Sequence, residues 1–145
     1  MHFREIFGSK IVPHSARVVS RGFESAGLRG SRRGKLTMKS LYGATTVWEK
    51  YIPDTWPRVF AFSPKGDMLA AFLFPRNPPN GETRIAVFST TDGQELLSFK
   101  LDEGTVRSLA FSRDGSLLMS GMDGSDALVW DISAARKTAQ DQKSR

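Results

Sequence analysis

The segment VRSLAFSRDGSLLMSGMDGSDALVWD, residues 106–131, decides how this chain folds. Short runs of strand-forming residues alternate in it with tight turns. Val106 to Phe111 ends in Ser112-Arg113-Asp114-Gly115, Leu117 to Gly121 ends in Asp123-Gly124, and a last run closes on Val129-Trp130-Asp131. Phe111 stands at a strand end, where its ring can wedge between adjacent sheets. Ser112 is suited to hold the following turn by side-chain to backbone bonding, and Gly115 allows the positive φ such a turn needs. Trp130 is a large anchor whose indole N–H needs a partner wherever it is buried.

The same pattern occurs upstream. Val59-Phe60-Ala61-Phe62-Ser63-Pro64-Lys65-Gly66-Asp67-Met68-Leu69 lies over residues 108–118 at a constant offset of 49, and Ile85-Ala86-Val87-Phe88-Ser89 lies over residues 127–131 at an offset of 42. Phe62, Ser63 and Gly66 thus take the places of Phe111, Ser112 and Gly115. The two offsets differ by a seven-residue insertion, assigned to the Pro75–Gly81 stretch, where added loop costs little. Strands recur about every ten residues from Leu41 to Ser133, with no 3.6-residue apolar period, so the reading is all-β. A repeat of about 42 residues is the length of one four-stranded propeller blade.

These residues resemble the WD-repeat β-propeller family. The family's blade has an apolar strand ending Ala-Phe-Ser-Pro-Asp-Gly, a strand ending near Ser-Gly, an Asp-Gly turn and a strand ending Trp-Asp. Residues 105–133 match it densely, and 57–101 match it with Phe88-Ser89 in place of Trp-Asp. The resemblance implies four-stranded antiparallel blades, about two of them, and therefore an incomplete propeller with open blade edges. It also implies a relay from the tryptophan through a Ser or Thr and a His to an Asp. Ser120 and Asp123 match the ends of that relay, whereas Leu101-Asp102 fills the Gly-His position and breaks it. Val47-Trp48-Glu49 is a weaker candidate for a third copy. It lies 40 residues before Phe88, but only eleven positions separate Trp48 from Val59, against eighteen from Phe88 to Val106.

The flanks read differently. Residues 1–50 hold ten Lys/Arg against three Glu, while residues 51–145 hold eleven basic and twelve acidic residues, so the net charge of +6 resides in the N-terminal part. Residues 1–40 show scattered Gly, Ser and Arg without a period and are expected to form a disordered basic tail. Three alternatives stay open for it: an organellar transit peptide, sequence upstream of a start at Met38, and a phosphate-gripping arm centred on Arg29, Arg32, Arg33 and Lys35. The blades are expected within 41–133. Residues 134–145 are expected to be a polar, solvated tail, since their helix formers show no apolar stripe.

The chemistry this sequence can support is narrow. With no cysteine, disulfides, thiolate metal sites and a cysteine nucleophile are excluded. His2 and His14 lie far from any carboxylate cluster, and Asp102, Glu103, Asp114, Asp123, Asp126 and Asp131 fall at turns and strand ends. No catalytic residue, cofactor site or metal site is therefore assigned. No apolar run is long enough for a membrane-spanning helix. The expectation is a non-catalytic, cytoplasmic protein-interaction module or scaffold, a fragment or truncated member of the WD-repeat class. Its partners would be proteins, with self-association through open edges as a second route. The alternative is nucleic-acid binding through the basic arm. The structural repeat residues named for the blades are Phe62, Ser63, Gly66, Phe111, Ser112, Gly115, Ser120, Asp123, Trp130 and Asp131.

Overall fold

In the computed structural model, described over residues 10–12, 17–26, 31–43, 45–76, 82–102 and 104–144, eleven strands form three antiparallel sheets, followed by one helix. The first sheet contains β1 (Lys10–Ile11), β2 (Arg17–Ala26), β3 (Ser31–Ser40) and β4 (Thr46–Ile52). The middle sheet contains β5 (Thr55–Phe62), β6 (Met68–Pro75), β7 (Arg84–Ser89) and β8 (Glu95–Lys100). The third has only β9 (Val106–Phe111), β10 (Leu117–Met122) and β11 (Ala127–Asp131), and α1 (Ser133–Lys143) follows. Strands neighbour one another in chain order, as short connections between antiparallel strands dictate.

Two cores flank the middle sheet, and the period of the strand sorts residues between them. Met68, Ala70 and Phe72 pack with Ile85 and Val87 toward Leu109 and Leu118 of the third sheet. Their neighbours Leu69, Ala71 and Leu73 pack with Ala86 and Phe88 toward Leu36, Met38 and Trp48 of the first. Successive side chains of a strand point to opposite faces. A continuous apolar run such as Met68–Leu73, whose members are all 0% exposed, is therefore what a sheet covered on both sides requires.

Three expectations are corrected. There are three sheets rather than about two, because the chain before Leu41 contributes to one. Residues 17–26 and 31–40, expected as disordered tail, pair as a hairpin from Arg17↔Ser40 to Ala26↔Ser31, and Val19, Leu36 and Met38 are fully buried. Leu36 and Met38 alternate with Lys35, Thr37 and Lys39, so a period of two was hidden under basic composition. Arg21 donates hydrogen bonds to the carbonyls of Pro57 and Arg58, both at 3.1 Å, which ties β2 to β5. The polar C-terminal tail is helical over Ser133–Lys143, with Ala135 and Ala139 buried beside Ile132. An alanine stripe is too small to register as apolar patterning, yet it lets a helix lie close. Residues 1–9, and 77–81 of the expected insertion, lie outside the described residues.

Candidate functional site

The turns singled out from the sequence are built alike. After β5, Ser63 Oγ accepts the Met68 N–H at 2.9 Å, Gly66 donates to the Ser63 carbonyl at 2.9 Å, and Gly66 has φ of 74°. After β9, Ser112 Oγ accepts the Leu117 N–H at 3.0 Å, Gly115 donates to the Ser112 carbonyl at 2.9 Å, and Gly115 also has φ of 74°. The carboxylates differ. Ser63 Oγ donates to buried Asp67, whereas Asp114 Oδ1 accepts from Ser112 Oγ and from both the backbone and hydroxyl of Ser116. The Ser116 hydroxyl, then its backbone N–H and the Ser112 hydroxyl, hold Asp114 down to about 2. The stabilisation from this carboxylate is therefore present above the ordinary carboxylate range and is lost as pH falls toward 2. Carboxyl-carbon NMR titration should show Ser116→Ala raising the Asp114 pKa toward the ordinary value, and raising it more than Ser112→Ala does. Phe62 packs against the core shared with the first sheet, and Phe111 against the core shared by the middle and third.

The structure brings Trp130 and Ser120 together and leaves Asp123 apart. Trp130 Nε1 donates to the Oγ of fully buried Ser120 at 3.2 Å, and the indole stacks on Phe99 of β8 with centroids 4.5 Å apart. Leu118 is its cross-strand partner, and Phe111 in turn pairs with Leu118. Asp123 instead pairs with Arg107 across the hairpin, so the relay stops at Ser120. Trp130 is half-buried, because the third sheet carries no strand outside β11 among the described residues.

Trp56 lies inside β5, half-buried opposite Phe74, with the Arg58 guanidinium 6.0 Å from its ring. Trp130→Ala should still be the costlier change, about 3 kcal/mol at the low end of the range for aromatic truncation, since it leaves Ser120 buried without its donor. Trp56→Ala should cost nearer 1 kcal/mol. Equilibrium denaturation compares the two, and a larger loss at Trp56 would contradict the arrangement.

The helix joins the ends of two sheets. Asp131 Oδ1 accepts from Ser133 Oγ and from Ser133 N–H at 2.9 Å, which together lower its pKa just ahead of α1. Arg136 then donates to the Asp114 carbonyl at 3.2 Å, Gln142 to Gln94 at 2.8 Å and Lys143 to the Lys65 carbonyl at 3.4 Å. These contacts span the turns of the middle and third sheets.

Two outer faces remain. On the first sheet, Lys35 is paired with Glu49 at 2.8 Å and lies 5.4 Å from the Tyr51 ring, while Val47 and Tyr51 of β4 are 38% and 39% exposed. On the third sheet, Leu117, Met119 and Val129 are 42%, 48% and 63% exposed; Leu117 and Met119 alternate along β10 with buried Leu118 and Ser120, and Val129 lies opposite Met119 on β11. The sequence placed Leu117 and Val129 on strands but assigned none of the three to an exposed face. It also undervalued Trp48, which is 9% exposed and donates from Nε1 to the Thr90 carbonyl at 3.0 Å. Among the described residues no three His, Asp or Glu side chains come together to hold a metal ion, and no helix is long and apolar enough to cross a membrane.

No protein-family profile and no curated protein matches the sequence. Among solved structures, the C-terminal WD40 domain of Sif2 is similar over 91% of this chain, with a TM-score of 0.65 and 12% sequence identity. The chain spans 35% of that domain's length. At this identity the likeness establishes the fold, which is that of successive WD40 propeller blades.

Proposed function

We propose that this chain, with three WD40-type blades among its described residues, is a non-catalytic protein-interaction module that serves as a scaffold in the cytoplasm. The observation that carries the reading is the outer face of the third sheet, where Leu117, Met119 and Val129 stand exposed beside an edge strand. Exposed apolar clusters of this kind mark association surfaces. The WD40-like fold supports the same reading, since it is a frame for loops and faces rather than for one conserved chemistry.

Of the basic arm, Arg29 and the side chains of Arg32 and Arg33 lie outside what is described. Lys35 is committed to Glu49, and Arg21 to backbone carbonyls of β5.

The test is quantitative affinity capture with the full chain and with a Met119→Lys/Val129→Lys variant whose melting temperature matches it. Specific protein partners that the variant loses are the expected result. Duplex DNA binding that falls steeply with salt and disappears with Arg32→Ala/Arg33→Ala would replace this reading with the alternative. Substitution is the right probe there, because deleting residues 1–37 would remove β2 and most of β3.

A further inference from the structure

The turns after β5 and β9 place their carboxylates differently. After β9, Asp114 holds the Ser112 and Ser116 hydroxyls from the solvent side. At the repeat offset of 49, Lys65 stands in place of Asp114 and Asp67 in place of Ser116. The carboxylate of the middle sheet has thus moved two residues along, to a position only 4% exposed. Asp67 Oδ1 accepts from the Ser63 hydroxyl at 2.6 Å, while Oδ2 is buried and has no donor. Asp114 shows that holding the serine does not require burial, so the second oxygen of Asp67 faces another partner.

Across from it lies α1. The stem of Arg136 rests on the turn after β9, where a Cβ at Gly115 would meet Arg136 Cδ at 3.7 Å. One terminal nitrogen, Nη1, donates to the Asp114 carbonyl at 3.2 Å and lies 3.8 Å from Asp114 Oδ2. Nε is buried and has no acceptor. Asp67 and Arg136 line one cavity, together with Ser63, Gly115 and Gln140. Its volume is about 10 Å³, room for one water molecule and for no larger ligand. A cation there would meet the guanidinium, and an anion would meet the carboxylate. The partner that suits both donates toward Oδ2 and accepts from Nε. Leaving either atom dry forfeits hydrogen bonds that it makes to solvent in the unfolded chain.

We infer that one ordered water occupies this cavity, donating to Asp67 Oδ2 and accepting from Arg136 Nε, and that it completes a hydrogen-bonded line through all three sheets. The line starts in the first sheet at Trp48, whose indole donates to the Thr90 carbonyl. The Thr90 N–H donates to the Asp67 carbonyl at 3.1 Å. The water joins Asp67 to Arg136, and Arg136 ends the line on Asp114. A water bridge is enthalpically close to a direct bond, and the charge at each end strengthens it. Arg136 therefore clasps two sheets at once, the third directly and the middle one through water.

The test uses the full chain in solution. The Arg136 Nε–H proton should show NMR cross-relaxation to water with the sign of a bound molecule, and should exchange at least about tenfold more slowly than that of exposed Arg113. A high-resolution crystal structure should place one water within hydrogen-bond reach of both atoms. Coupling supplies a third reading. Arg136→Leu should raise the unfolding equilibrium constant at least about threefold more in the wild-type background than in Asp67→Asn, which keeps the acceptor for Ser63 but removes the charge. Three results would overturn the inference: no bound-water signal at the Arg136 Nε–H, a direct Asp67–Arg136 ion pair or an ion in the cavity, or additive effects of the two substitutions. The first is read on the unaltered chain, so a folding defect cannot explain it. None of them bears on the interaction-module reading, which stands or falls with affinity capture.

Discussion

Alanine in place of Trp48 is expected to lower stability by about 3–5 kcal/mol, the range for a buried aromatic truncated in a core. The indole is 9% exposed and sits in the core between the first and middle sheets. Its ring passes so close to the turn after β7 that a Cβ at Gly93 would meet Trp48 Cε3 at 2.8 Å. Removing it also strips the Thr90 carbonyl of its donor, and Thr90 is itself buried, with its N–H on the Asp67 carbonyl and its hydroxyl on the Gly66 carbonyl. An unsatisfied buried acceptor adds about 1–3 kcal/mol. Trp48→Phe, which keeps most of the ring but not the N–H, should fall between wild type and alanine. Urea unfolding followed by circular dichroism reads both. A loss below about 1 kcal/mol for the alanine variant would mean the first sheet is not seated on the middle one.

Gly34→Ala should be comparably damaging for a different reason. A Cβ at this position of β3 would overlap the Thr55 carbonyl oxygen and lie 2.9 Å from Pro57 Cδ. Backbone and a proline ring cannot swing aside as a flexible side chain can, so β3 and β5 must separate. Overpacking of this kind costs about 1–3 kcal/mol and sometimes more, and the rigidity of both obstacles puts Gly34→Ala at the upper end. Gly22 provides the control on the neighbouring strand, since a Cβ there meets nothing within 4 Å. Gly22→Ala should change stability by no more than about 0.5 kcal/mol. Equal effects from the two substitutions, measured by the same unfolding experiment, would contradict the close approach of β3 to β5.

The contrast between these glycines shows where the sequence is transparent and where it is not. The middle and third sheets could be read because they repeat. Phe62-Ser63 and Phe111-Ser112 end equivalent strands, and the two turns after them close with the same hydrogen bonds. The first sheet has no such copy. Aligning Trp48 with Phe88 failed for a physical reason: Trp48 lies on the fourth strand of its sheet, β4, whereas Phe88 and Trp130 lie on the third of theirs. Only the short turn at Pro53–Asp54 then separates β4 from β5, which explains the eleven-residue spacing to Val59.

The exposed face was illegible for the opposite reason. Leu117, Met119 and Val129 are ordinary strand residues, and nothing local distinguishes an apolar position that will be covered from one that will not. That depends on how many sheets and strands the array contains, which no single strand encodes.

The helix across the ends of the middle and third sheets changes how the array should come apart. In a stack of repeats, stability is approximately a sum of terms within each unit and between nearest neighbours. Here one interface has a second tie, because α1 bonds to turns of both sheets through Arg136, Gln142 and Lys143. The other is held by the face-to-face core and a few strand contacts such as Arg21 on β5. Loss of the first sheet is therefore the least costly partial opening. The middle and third sheets melt as one cooperative block, so amides of β2 and β3 exchange by a sub-global route while those of β6 and β10 wait for the last unfolding event.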